Sequence, residues 1–199
     1  MKRRDFLKTL PIIAGAPMAL AETSPFPQTA NGRHLIALGT SACYLASNHS
    51  SELYFDSFTF INSEEPDSLR KGDSFIPFTT PDYIRKQLGK RRLPKDGYFP
   101  VIPMNQEIQN HLNGLNGDLV FFAGLGWMTE TLLFQSIGCH YKNPLQRLDF
   151  LAVFPFSFQG TWRENQAKKT IRVLADQRRE PTCLYLDEVI GPYGNISIP

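Results

Sequence analysis

Three cysteines and four histidines are all that 199 residues supply of the side chains that most often bind metals or carry out thiol chemistry. Cys43, Cys139 and Cys183 are far apart. No pair forms a C-x-x-C, and no histidine stands at a zinc-ligand spacing from any of them, which argues against a metal site. Each falls in an expected helix or strand, so the first reading is a small buried hydrophobe; one disulfide with a thiol left over is the alternative. No G-x-S-x-G nucleophile elbow is present. No apolar run approaches the roughly 20 residues a membrane-spanning helix needs. Charge is nearly balanced, with 21 basic against 19 acidic residues, and gives no electrostatic footprint for nucleic acid.

The N-terminus, in contrast, is distinctive. Arg3 and Arg4 are followed by Phe6, Leu7 and Lys8, the pattern of a twin-arginine export address. A short, mildly apolar stretch from Thr9 to Met18 leads to Ala19-Leu20-Ala21, a small-x-small cleavage site. The expected organisation is a signal peptide over 1–21, a flexible leader rich in Pro, Thr, Ser and Asn over 22–32, and one folded domain over 33–199. The expected location is the periplasm, reached through the twin-arginine translocase, or the inner-membrane surface if the signal is retained as an anchor. The signal holds four basic residues and one acidic residue, so its removal takes the formal charge from +2 to −1. What remains is long enough for one domain with a sizeable core.

Along that domain, short apolar runs alternate with amphipathic ones. Strands are expected at His34 to Leu38, Ser57 to Ile61, Ser74 to Phe78, Asp118 to Gly124, Asp149 to Phe154 and Thr182 to Leu186. Pro77 marks the third of these as an edge strand, since proline cannot donate to a ladder. Helices are expected from Ala42 to Ser50, from Pro103 to Leu112, from Thr129 to His140 and from Arg163 to Arg178. Residues 79–100 read as irregular, with the basic run Lys90-Arg91-Arg92 as a solvated surface, and Gly191 to Gly194 as a terminal break. Continuous apolar strands alternating with helices imply an α/β fold of three layers, a mostly parallel sheet with helices on both faces. Ligands in such sheets bind beyond the carboxyl ends of the strands. The polar and glycine-rich clusters at 39–41, 62–64 and 124–131 all follow strands, which sets them along that edge.

Four segments in register resemble one family. The stretch GDLVFFAGLGWMTET, from Gly117 to Thr131, is similar to the tubulin-superfamily signature of the division protein FtsZ, where an apolar strand runs into a GGGTGTG loop. PFSFQGTWR, from Pro155 to Arg163, resembles the family's PFxFEGxxR segment. Phe60 to Glu64 stands at the family's VNTD turn, and Leu35 to Ser41 at its first glycine-rich turn. The resemblance runs from about residue 33 to 190 and implies a nucleotide-binding-domain fold of Rossmann type. GTP or GDP is then the cofactor to test, with Gly39, Thr40, Ser41, Asn62, Gly124, Gly126, Thr129, Thr131 and Arg163 as its contacts.

The departures from the family bear on function. In the family's loop, glycines let backbone N–H groups approach the phosphates in front of a helix N-terminus. Here Trp127, Met128, Glu130 and Leu132 stand where glycines are expected, and an indole and a carboxylate would obstruct and repel a triphosphate. Gln159 replaces the family's glutamate, and Asp187 falls at its guanine-side asparagine. The chain ends where the family continues into its long central helix, its second domain and the acidic loop that activates water, so GTP hydrolysis is not expected. The periplasm also holds little GTP.

The expected role is therefore that of a non-catalytic FtsZ-like domain, a pseudo-GTPase that binds an envelope protein or acts as a scaffold there. Self-association remains open by family analogy. Trp127, Phe156, Phe158 and Trp162 would either plug the former nucleotide pocket, the favoured reading, or form an apolar patch for a partner. Retained nucleotide binding is one alternative. An exported hydrolase is the other, with Ser41, Thr129 or Thr131 as nucleophile and His34, His49, His111 or His140 as base.

Overall fold

In the computed structural model, residues 32–89 and 97–190 are described. Among them, six strands form one sheet. They are β1 (Arg33–Leu38), β2 (Ser57–Asn62), β3 (Ser74–Pro77), β4 (Asp118–Gly124), β5 (Leu148–Phe154) and β6 (Thr182–Tyr185). The spatial order is β3-β2-β1-β4-β5-β6, and every neighbouring pair is parallel. The helices are α1 (Gly39–Asn48), α2 (Asp82–Gly89), α3 (Gln106–Gly114), α4 (Met128–His140), α5 (Thr161–Asp176) and α6 (Leu186–Ile190). A 3₁₀ turn at Ser157–Gln159 precedes α5. The expected α/β architecture is the observed one.

Two apolar layers cover the sheet. On one face Ile36, Leu38, Ile61, Phe121 and Phe150 pack with Ile108 and Leu112 of α3, Leu133, Phe134 and Ile137 of α4, and Ala167 and Leu174 of α5. On the other, Leu35, Ala37, Phe58, Phe60 and Val120 pack with Ala42, Cys43 and Ala46 of α1. Central strands buried on both sides need apolar residues at successive positions rather than at alternate ones, which is why β4 reads as DLVFFAG. Phe121 and Phe150 stack with centroids 4.9 Å apart, and Phe134 meets Phe150 edge-on at 5.4 Å. No helix among the described residues is long and apolar enough to cross a membrane.

Buried polar side chains tie the layers together. Gln135 Nε2 donates to Thr170 Oγ1 at 2.8 Å, joining α4 to α5, and Thr170 Oγ1 donates on to Gln166 O at 2.8 Å. Gln166 clamps the segment before α3: its Nε2 donates to Gly97 O, and its Oε1 accepts from Phe99 N at 2.9 Å.

Several boundaries differ from the sequence expectation. Helix α1 begins at Gly39, three residues early, because φ of +80° at this glycine turns the chain sharply out of β1. Helix α3 begins at Gln106 rather than Pro103, because Asn105 is the cap and its Oδ1 accepts from Glu107 N at 2.8 Å and Ile108 N at 3.2 Å. The stretch expected to be irregular contains α2, opened by Pro81, whose carbonyl accepts from Ile84 N. All three cysteines are free thiols, with Cys43 buried and the other two half-buried. The signal, most of the leader, the Lys90 to Arg92 run and the Gly191 break lie outside the described residues.

Candidate functional site at the carboxyl edge

The strand order reverses direction between β1 and β4, so the crevice beyond their carboxyl ends is the topological switch point. All nine residues singled out from the sequence lie along the loops that leave this edge. Gly39, Thr40 and Ser41 open α1, Asn62 ends β2, and Gly124 ends β4. Gly126 lies in the β4–α4 turn, Thr129 and Thr131 in the first turn of α4, and Arg163 in the first turn of α5.

Those residues are engaged with one another. Thr40 Oγ1 donates to Asn62 Oδ1 at 3.3 Å, and Asn62 Nδ2 donates to Glu64 O at 3.1 Å. Ser41 packs across the crevice, its Cβ 3.5 Å from where a Cβ on Gly124 would stand. The Gly126 N–H, of the kind that would face a phosphate in an open loop, donates to Thr131 Oγ1 at 3.1 Å. Thr129 and Thr80 share a hydroxyl contact at 3.3 Å. Arg163 presses against the turn: its backbone oxygen lies 3.0 Å from the Cβ position of Gly126, and its guanidinium lies 3.4 Å from the centre of the Trp127 ring. That stacking is a cation–π contact.

Glu130 fills space at the first glycine turn. Its side chain is buried, with 1% of its surface exposed, and lies directly against Gly39. A Cβ at Gly39 would fall 2.6 Å from Glu130 Cδ and 2.9 Å from Oε1, closer than real atoms approach. The carboxylate therefore occupies the space at the first glycine turn. Burial, with the nearby Glu130 carboxylate a smaller contribution, pushes the Cys43 thiol beneath it up to about 12. The sequence marked Glu130 as an obstruction; the structure adds that it packs on Gly39, a contact between helices 91 residues apart that no local pattern announces.

The aromatics differ in exposure. Phe156 is buried and Trp127 half-buried under Arg163, whereas Phe158 is 59% and Trp162 41% exposed. Phe156 stacks on Phe158 at 4.9 Å, and Trp162 meets Phe99 edge-on at 5.4 Å. Asp187 is engaged at the far end of this edge, its Oδ2 accepting from Ser157 N at 2.9 Å.

The histidines do not join this edge. His49 contacts Glu52 and His140 is exposed at the end of α4. His34 and His111 lie toward the opposite, amino edge, where they pair with Ser57 and Thr59. Neither hydroxyl is legible as a partner in sequence, because the pairing comes from neighbouring strands and from α3 lying across β2. An open groove of about 340 Å³ also lies on the amino edge, lined in part by Asn113, Asn116, Asn143 and Gln146.

No family model and no curated protein matches the chain. Among solved structures the chain is similar to an empty FtsZ dimer from M. jannaschii, with a TM-score of 0.60 at 12% identity. The match covers 100% of this chain and 53% of that one, so the chain spans about half the length of its structural neighbour. The fold is thus FtsZ/tubulin-like.

Proposed function

We propose that this chain is an exported pseudo-GTPase: an FtsZ-like domain whose nucleotide edge is closed by its own side chains and that works by binding, not by turning over GTP. The observation that carries this reading is the seat of Glu130 on Gly39. A triphosphate needs open backbone N–H groups and a positive field at the switch point. Here the Gly126 N–H is taken by Thr131, and a buried carboxylate stands where negative charge would have to enter. The twin arginines at Arg3 and Arg4 with the Ala19-Leu20-Ala21 site support delivery to the periplasm through the twin-arginine translocase. The half-exposed Phe158 and Trp162 beside the closed edge support an envelope protein as the partner.

Two experiments test the two halves. Residues 1–32 fused to a folded reporter should send it to the periplasm, and replacing both Arg3 and Arg4 with Lys should retain it in the cytoplasm; export that survives the replacement removes the twin-arginine route. Purified protein, denatured and analysed by ion-pair chromatography, should release no guanine nucleotide. Stoichiometric GDP would show that the edge is open enough to hold one.

A further inference from the structure

At the amino edge, on the opposite side of the sheet from the nucleotide crevice, β1 and β2 bring a hydroxyl and an imidazole into contact. Parallel register pairs His34 with Ser57. Ser57 Oγ lies 2.7 Å from His34 Nδ1, and His34 Nε2 lies 2.9 Å from the backbone oxygen of Asn116. A carbonyl oxygen only accepts, so Nε2 must carry the ring proton. In the neutral ring Nδ1 is then a bare acceptor, and the Ser57 hydroxyl is the donor. The tautomer is fixed by the fold, through the loop that carries Asn116 into β4.

We infer that Ser57 is a base-activated nucleophile and His34 its general base, forming a Ser–His pair oriented by Asn116 that acts on neutral acyl esters. The parts are those such chemistry requires: a nucleophile within hydrogen-bond reach of a base, and the base held in turn by a third group. Both side chains are partly open to solvent. Asn116 also lines the neighbouring amino-edge groove, whose lining among the described residues is amides, leucines and a glycine without a charged side chain, which suits a neutral acyl group; Ser57 and His34 themselves lie outside that lining.

The step balances with water alone. Ser57 Oγ bonds to the acyl carbon as its proton passes to His34 Nδ1. That proton goes to the departing alcohol oxygen as the ester C–O bond breaks. Water, deprotonated by the same nitrogen, then releases the acid and restores Ser57. Nothing in this depends on whether the nucleotide edge is open or closed, so the inference and the pseudo-GTPase reading stand or fall separately.

The test is covalent labelling of the full chain with an alkyl fluorophosphonate, with the adduct located by peptide mass spectrometry. The expected result is one adduct, on Ser57. Ser57→Ala should abolish it. His34→Gln, which can keep a hydrogen bond to Asn116, should slow it by roughly 100-fold or more, the usual contribution of a general base. Mapping the adduct on the unmodified protein decides the matter even if a variant fails to fold. No adduct on folded protein, an adduct at another residue, or an unchanged rate in a folded His34→Gln variant would each overturn the assignment.

Discussion

Glu130 and Gly39 are locked together at the switch point: the carboxylate side chain fills the volume that any side chain at position 39 would need. The pairing joins the first turn of α4 to the first turn of α1, beside the switch point between β1 and β4. It also links two residues whose substitutions should not be additive.

Gly39→Ala combines a strained φ of +80° with direct overlap on Glu130. The expected cost is about 2–4 kcal/mol of unfolding free energy, from the backbone penalty and overpacking together. In a double-mutant cycle with Glu130→Ala, the overlap part should be relieved and the φ part should remain. Urea melts of the four proteins measure both. Strict additivity would mean that the two side chains do not meet.

Stability should fall as the solution is acidified, through His111. Burial, with a smaller contribution from His34, lowers the His111 pKa below the ordinary imidazole value. A depressed pKa means that the folded state favours the neutral ring, which accepts from or donates to Thr59 Oγ1 at 2.9 Å. The associated stability is present above the unfolded pKa, roughly 6.5, and is lost as pH falls through the lower folded value. The urea midpoint of the wild type should therefore drop between pH 7.5 and pH 5, and His111→Gln should flatten that part of the profile. An identical slope in the variant would exclude His111 as the source.

Gln166→Ala should loosen the segment that leads into α3. The substitution leaves Phe99 N without the acceptor it has now, in a buried position. An unsatisfied buried donor costs about 1–3 kcal/mol. Hydrogen exchange at the Phe99 amide should accelerate in step with the lost stability, and protection equal to wild type would show that another acceptor has replaced Gln166.

Asn105→Ala should cost about 1 kcal/mol by removing both hydrogen bonds at the start of α3, whereas Asn105→Gly should cost only a few tenths. Thermal melts should order the three proteins accordingly. An Asn105→Ala variant that melts with wild type would show that the cap does not matter.

The parts of the fold legible in sequence were those where one local rule acted alone. Strand β4 was found to the residue, because a strand buried on both faces must be apolar throughout and Gly124 ends the run. Pro77 identified β3 as an edge, and β3 is the outermost strand on its side. Helix α2 was missed because only Ile84 of its described side chains is buried and the Lys and Arg around it read as loop. The start of α1 was misplaced because a glycine at +80° serves as an abrupt first helical residue, a role that glycine more often plays at a C-terminus.

The candidate site shows the same division. Positions along the carboxyl edge followed from the order of elements, and Glu130 was visible as a foreign residue in a glycine-rich loop. That Glu130 would fold back on Gly39 depended on how α4 approaches α1, whereas the Thr131 bond to the Gly126 N–H is local to the turn that opens α4. His34 was among the histidines set aside as candidate bases, but Ser57 was not among the candidate nucleophiles. Their contact comes from strand register, which sequence spacing does not encode.

Calorimetric titration of GTP and GDP into residues 22–199, with and without magnesium, tests the proposed pseudo-GTPase reading most directly. The account predicts no detectable heat from a sample shown by circular dichroism to be folded. Binding at micromolar strength or better, roughly −8 kcal/mol, would contradict it.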